Sequence, residues 1–92
     1  MRTVNTAAIT EAVAALCIRA NSRLPEDVER ALRRARETEP WPLAEKSLGI
    51  LCDNLSLAQE KEVPICQDTG LACVFVELGQ EVYISGSFEA AV

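Results

Sequence analysis

A chain of 92 residues has room for one small domain, which buries only a modest fraction of its surface. Its hydrophobic share of 49% supplies a core and argues against disorder, while 4% aromatic content makes that core mainly Ala, Val, Leu and Ile. The formal charge of −5 excludes the basic footprint that a nucleic-acid backbone or an anionic membrane surface requires.

Ile9, Val13, Leu16, Cys17 and Ala20 recur at helical spacing, which predicts a first helix from about Thr6 to Asn21. Asn5 or Thr6 is positioned to cap it. Pro25 suits the first turn of a second helix, with Glu26 and Asp27 favourable at its positive end. Val28, Leu32 and Ala35 give this helix a narrow apolar stripe. Arg30, Arg33, Arg34 and Arg36 form a basic cluster suited to phosphate or carboxylate recognition. Glu26 and Glu29 lie four residues before Arg30 and Arg33, however, so a solvated, self-paired face is the better reading.

Glu39-Pro40-Trp41-Pro42 interrupts the pattern, with Trp41 expected to pack over the neighbouring helices. A third helix is predicted from Pro42 to about Lys61, its buried face marked by Ala44, Leu48, Leu51, Cys52, Leu55 and Ala58. Gly49 costs this helix roughly 1 kcal/mol relative to alanine and permits a close helix crossing. Pro64 disfavours helical dihedrals at Val63 and ends the helix.

Beyond it, Ala72-Cys73-Val74-Phe75-Val76 is apolar at every position, as in a strand covered on both faces. Gly79-Gln80 reads as a hairpin turn into Glu81-Val82-Tyr83-Ile84, and Ser87 is placed to cap a helix beginning at Phe88. The expected fold is α+β: three N-terminal helices, then a short antiparallel β-hairpin, forming part of a larger domain. Two strands and an incipient helix without partners make residues 1–92 read as a single fragment.

There is no internal repeat, no basic-then-apolar leader and no stretch of the roughly twenty apolar residues that a membrane span needs. These features predict a cytoplasmic protein, where free thiols persist. Without histidine or a Cys-x-x-Cys pair, a self-contained zinc site is disfavoured. Cys17 and Cys52 fall on apolar helical faces and Cys73 in an apolar strand, so all three are expected to be buried.

Cys66 stands in a polar run, Cys66-Gln67-Asp68-Thr69-Gly70, entered through Val63-Pro64-Ile65. A thiol, an amide, a carboxylate and a hydroxyl in sequence on a loop between rigid elements are a binding or catalytic constellation. Composition alone reads the run as a turn with a buried cysteine and Gly70 as its conformationally free residue.

The order of residues favours chemistry. Val63 to Gly70 resembles the iron–sulfur hydro-lyase family of class I fumarate hydratases and L-tartrate dehydratase α subunits, which carries a near-identical Pro-Ile-Cys-Gln-Asp-Thr-Gly run. Leu24-Pro25-Glu26-Asp27 and Ile84-Ser85-Gly86 extend the similarity, so that it spans the chain as the N-terminal portion of a longer α region. The resemblance implies a 4Fe-4S cluster held by three cysteines, with Cys66 as one ligand and the other two beyond Val92. Cys17, Cys52 and Cys73 do not match those two. It further implies Gln67 and Asp68 as substrate-binding residues and Asp68 as the catalytic one, handling a proton or positioning a dicarboxylate.

The implied reaction is reversible hydration of a dicarboxylate, fumarate/malate or, as the alternative, tartrate. The implied partners are the remainder of the α region and a β subunit or domain, in an oligomeric assembly. The isolated chain is expected to hold no cluster and to be inactive. A reading from a different class is a non-catalytic helical subunit-interaction module.

Overall fold

Six elements follow one another along the chain: β1 (Arg2–Asn5), α1 (Thr6–Ser22), α2 (Glu26–Thr38), α3 (Pro42–Lys61), β2 (Val82–Ser85) and α4 (Phe88–Ala91). This computed structural model describes all 92 residues, Met1–Val92. The class is α+β, with three long helices and one short two-stranded sheet. The chain divides into two units, Met1–Cys17 with Asp68–Val92, and Ile18–Gln67.

In the first unit, β1 and β2 pair in parallel, with Val4 opposite Ile84 and Asn5 opposite Ser85. This corrects the expected antiparallel hairpin. The turn at Gly79 does form, closed by the Val82 N–H on the Gly79 carbonyl at 3.1 Å. The segment entering it, however, is not a strand. Leu71–Leu78 makes no backbone–backbone hydrogen bond, and Leu71 and Phe75 are 90% and 94% exposed. A strand apolar on both faces needs neighbours at its edges and cover above and below. This unit offers Ala72–Val76 neither, and β2 pairs instead with the N-terminal residues. Parallel strands require a long crossover, and nearly the whole chain lies between these two.

The Asn5 side chain caps α1, its Oδ1 accepting from the Ala7 N–H at 2.8 Å. Ser87 caps α4 in the same way, accepting from the Ala90 N–H at 3.2 Å. The Thr10 hydroxyl donates to the Ala91 carbonyl at 2.7 Å, and Ala91 is the buried apolar residue of this unit.

Gly86 follows β2 with φ +114°, where L side chains are strained. A Cβ there would stand 2.9 Å from Thr6 Cγ2. Gly86→Ala therefore combines backbone strain with overpacking against a β-branched side chain. It is expected to destabilise this unit by about 2 kcal/mol or more, read as a lower denaturant midpoint at unchanged m-value.

In the second unit α2 packs on α3. Gly49, Cys52, Leu55 and Ala58 form the buried stripe of α3, at spacing three, and Cys52 is 1% exposed. Leu55 is the large side chain of this stripe, and its burial contributes about 1.5–3 kcal/mol. Leu51 is exposed, contrary to expectation. Leu43, Ile50, Leu51 and Leu57 add exposed apolar residues to this helix, so periodicity alone overestimates the width of its buried face.

A Cβ at Gly49 would meet the Arg36 guanidinium at 3.5 Å, an ordinary contact with the end of a flexible side chain, so the expected close crossing that needs glycine is not what this position provides. Arg30 and Arg33 pair with Glu26 and Glu29 at 3.2 and 3.0 Å, as the i,i+4 spacing predicts. Such partly exposed pairs are worth only about 0.3–0.5 kcal/mol each. Pro25 sits just before α2 rather than within its first turn. Trp41 is 60% exposed and does not pack over the helices as expected.

No helix is long and apolar enough to cross a membrane.

Candidate functional site

The approach to Cys66 begins with the way α3 stops. Glu62 takes left-handed dihedrals, φ 51° and ψ 44°. The Val63 N–H reaches back to the Ala58 carbonyl at 3.1 Å, the six-to-one closure of a Schellman motif. Pro64 then bars a return to helix. The helix thus ends at Lys61, where sequence placed it, through a reversal at Glu62 that sequence did not reveal.

Ile65 is half-buried and held on both sides. Its N–H donates to the Asn21 carbonyl, in the last turn of α1, at 2.9 Å. Its carbonyl accepts from Asn54 Nδ2, on α3, at 2.7 Å. Cys66 follows directly, exposed and with a free thiol. Gln67 is exposed too, and neither side chain has a hydrogen-bond partner within the unit. The buried-cysteine reading of this run is thereby overturned.

Asp68, Thr69 and Gly70 belong to the other unit. They follow Cys66 and Gln67 without a break in the chain. Asp68 is exposed, and its Oδ1 accepts the Thr69 N–H at 3.0 Å. One carboxylate oxygen is therefore engaged in shaping the loop. Gly70 lies outside the positive-φ residues, and nothing stands within 4 Å of a Cβ built there. The expected need for glycine at this position is not met by either geometry or space.

Among the other cysteines only Cys52 is buried; Cys17 and Cys73 are exposed. The apolar surroundings that suggested burial are real in sequence. In the fold, however, Cys17 lies on an exposed part of an alanine-rich helix, and Cys73 lies in the unpaired segment. No three His, Cys, Asp or Glu side chains gather in a group suited to a metal ion. A cleft of about 410 Å³ in the second unit is lined by Arg33, Arg36, Glu37, Glu39 and Glu45. It contains none of the run from Cys66 to Asp68, and its opposite charges largely offset one another.

Sequence reading missed Asn54 and Asn21. Asn54 is an exposed polar residue of α3, and its residue type does not distinguish it from a solvated one. The Asn21 contact is through the backbone and leaves no trace in residue type.

Comparison with known proteins gives a consistent result. Residues 10–92 match the family model for fumarate hydratase (Fumerase). A protein of Methanocaldococcus jannaschii, provisionally named L(+)-tartrate dehydratase subunit alpha, is 36% identical over 74 residues, covering 80% of this chain and 26% of that protein. A protein of Geobacillus stearothermophilus, provisionally named fumarate hydratase class I, is 39% identical over 62 residues, 66% of this chain and 12% of that protein. The L(+)-tartrate dehydratase subunit alpha of Escherichia coli K12 is 28% identical over 82 residues, 89% of this chain and 27% of that protein. The chain thus spans about a quarter or less of the length of these relatives. No solved structure matches it.

Proposed function

The chain belongs to the fumarate hydratase (Fumerase) family, and from that premise we propose that it is the N-terminal part of an iron–sulfur hydro-lyase acting on a dicarboxylic acid. The observation that carries the reading is the Pro64–Gly70 run within the family match, with its thiol free and exposed. We take fumarate/malate as the main substrate pair. Tartrate is the second reading, favoured by relatives named tartrate dehydratase subunit alpha that cover 80% and 89% of this chain.

A 4Fe-4S cluster fits these residues as one ligand position. A thiolate suits iron, and Cys66 is the exposed cysteine that follows an anchored residue. The remaining ligands would come from residues outside these 92, in the rest of the α region, with a β subunit or domain completing an oligomeric enzyme in the cytoplasm. When bound, such a cluster supplies a Lewis acid for the oxygen that is added or removed.

The residues of this chain have separate tasks around that chemistry. Hydration adds the elements of water across a carbon–carbon double bond, and dehydration breaks a C–O and a C–H bond on adjacent carbons. Gln67 donates its amide N–H to a substrate carboxylate. Asp68 has one oxygen held by the Thr69 N–H, which leaves the other to position the substrate or carry a proton. Thr69 and Gly70 shape the loop.

Anaerobic reconstitution with iron and sulfide, followed by desalting, tests the reading. The complete α region is expected to turn brown, retain both elements and hydrate fumarate, or to dehydrate tartrate if the second reading holds. The 92-residue chain is expected to retain neither element. Stoichiometric retention by the short chain, or activity from a colourless complete protein, would refute the proposal.

A further inference from the structure

We infer that Asn54 is a positioning residue for Cys66, acting through the backbone of Ile65. The inference rests on the reading of Cys66 as a ligand only for its consequence; the clamp itself stands on geometry.

Two hydrogen bonds from two different helices meet on one residue. The Ile65 N–H is fixed by the Asn21 carbonyl at the end of α1, at 2.9 Å. The Ile65 carbonyl is fixed by the Asn54 amide on α3, at 2.7 Å. That carbonyl belongs to the planar peptide unit containing the Cys66 nitrogen, so holding it orients the bond into the Cys66 Cα. Pro64 restricts the approach from the other side. Cys66 and Gln67 take no part in backbone–backbone hydrogen bonding. Asn54 is therefore the last anchor before the thiol.

The contact is also placed to affect geometry more than stability. Asn54 is exposed, so water can satisfy the Ile65 carbonyl when the amide is removed. Water restores the hydrogen bond without fixing its direction. The buried stripe of α3 does not include Asn54, so a substitution leaves the helix packing in place.

Asn54→Asp keeps the shape and removes the N–H donor, and Asn54→Ala removes both. In the 92-residue chain, each is expected to shift the Ile65 carbonyl carbon and Cys66 amide nitrogen resonances and to lower the order parameter of the Cys66 amide, because the lost bond was made to that peptide unit. Helix content and the exchange of amides in the middle of α3 should be unchanged. In the complete, cluster-loaded α region, both variants should bleach several-fold faster in air, with the thermal midpoint of the apo protein unaltered. Unchanged resonances and order at the Ile65–Cys66 peptide overturn the clamp, and a loosened peptide with unchanged bleaching overturns its role in positioning Cys66. Colour that survives Cys66→Ser would instead overturn the ligand reading and leave the Asn54 contact standing.

Discussion

Asp68→Asn is expected to lower the hydration rate of the complete enzyme about a hundredfold to ten-thousandfold while its iron content stays at the parent level. The magnitude is that of a lost general acid–base contribution. The substitution is chosen for what it preserves. Asparagine retains an Oδ1 able to accept the Thr69 N–H, which in this loop spans 3.0 Å. The local turn and the volume are therefore kept, and only the charge and the capacity to carry a proton are removed. Cys66, two residues earlier in the chain, is untouched. The measurement is the steady-state rate beside iron and sulfide content for the same preparation. Full activity with an intact cluster would make Asp68 a structural loop residue and end its catalytic assignment.

The three long helices were legible because each carries its own boundaries and its own period. α3 lies between Pro42 and the Val63-Pro64 pair, and α2 is laced by two Glu-to-Arg pairs at i,i+4. What failed in the strands was the pairing, which depends on a partner. Ala72–Val76 has the composition of a covered strand, but composition states what a segment needs, not whether a neighbour is present. β1 is four residues long, with Val4 alone half-buried, too short for alternation to register. Its mate lies almost at the far end of the chain, so no local pattern announces the pairing.

Burial failed for a related reason. α1 is rich in alanine and apolar on several sides, and Leu16, Cys17 and Ile18 are all exposed on it. When most of a helix is apolar, the period no longer selects one face. The Cys66 loop is the opposite case. Its residue order singled it out, while its support, the reversal at Glu62 and the double anchor on Ile65, consists of backbone geometry and one amide that sequence does not distinguish from a surface residue.

Cys66→Ser in the complete enzyme is expected to abolish cluster retention and, with it, all hydro-lyase turnover. Serine is nearly the same size, and Cys66 is exposed, so no cavity and no core strain follow from the change. A hydroxyl is a poor substitute for a thiolate toward iron, and that difference in ligand chemistry is all the substitution introduces. The same experiment carries its own controls. Cys17→Ala and Cys73→Ala alter exposed positions and should leave colour, iron and stability close to parental. Cys52→Ala removes the sulfur from a side chain that is 1% exposed in the α2–α3 core, so it should lower stability while the cluster remains. Iron and sulfide content, visible absorbance and denaturant midpoint, read together for the four variants, separate a ligand from a packing residue. If Cys66→Ser keeps its iron and its colour, or if Cys17 or Cys73 proves indispensable to them, the assignment of Cys66 fails.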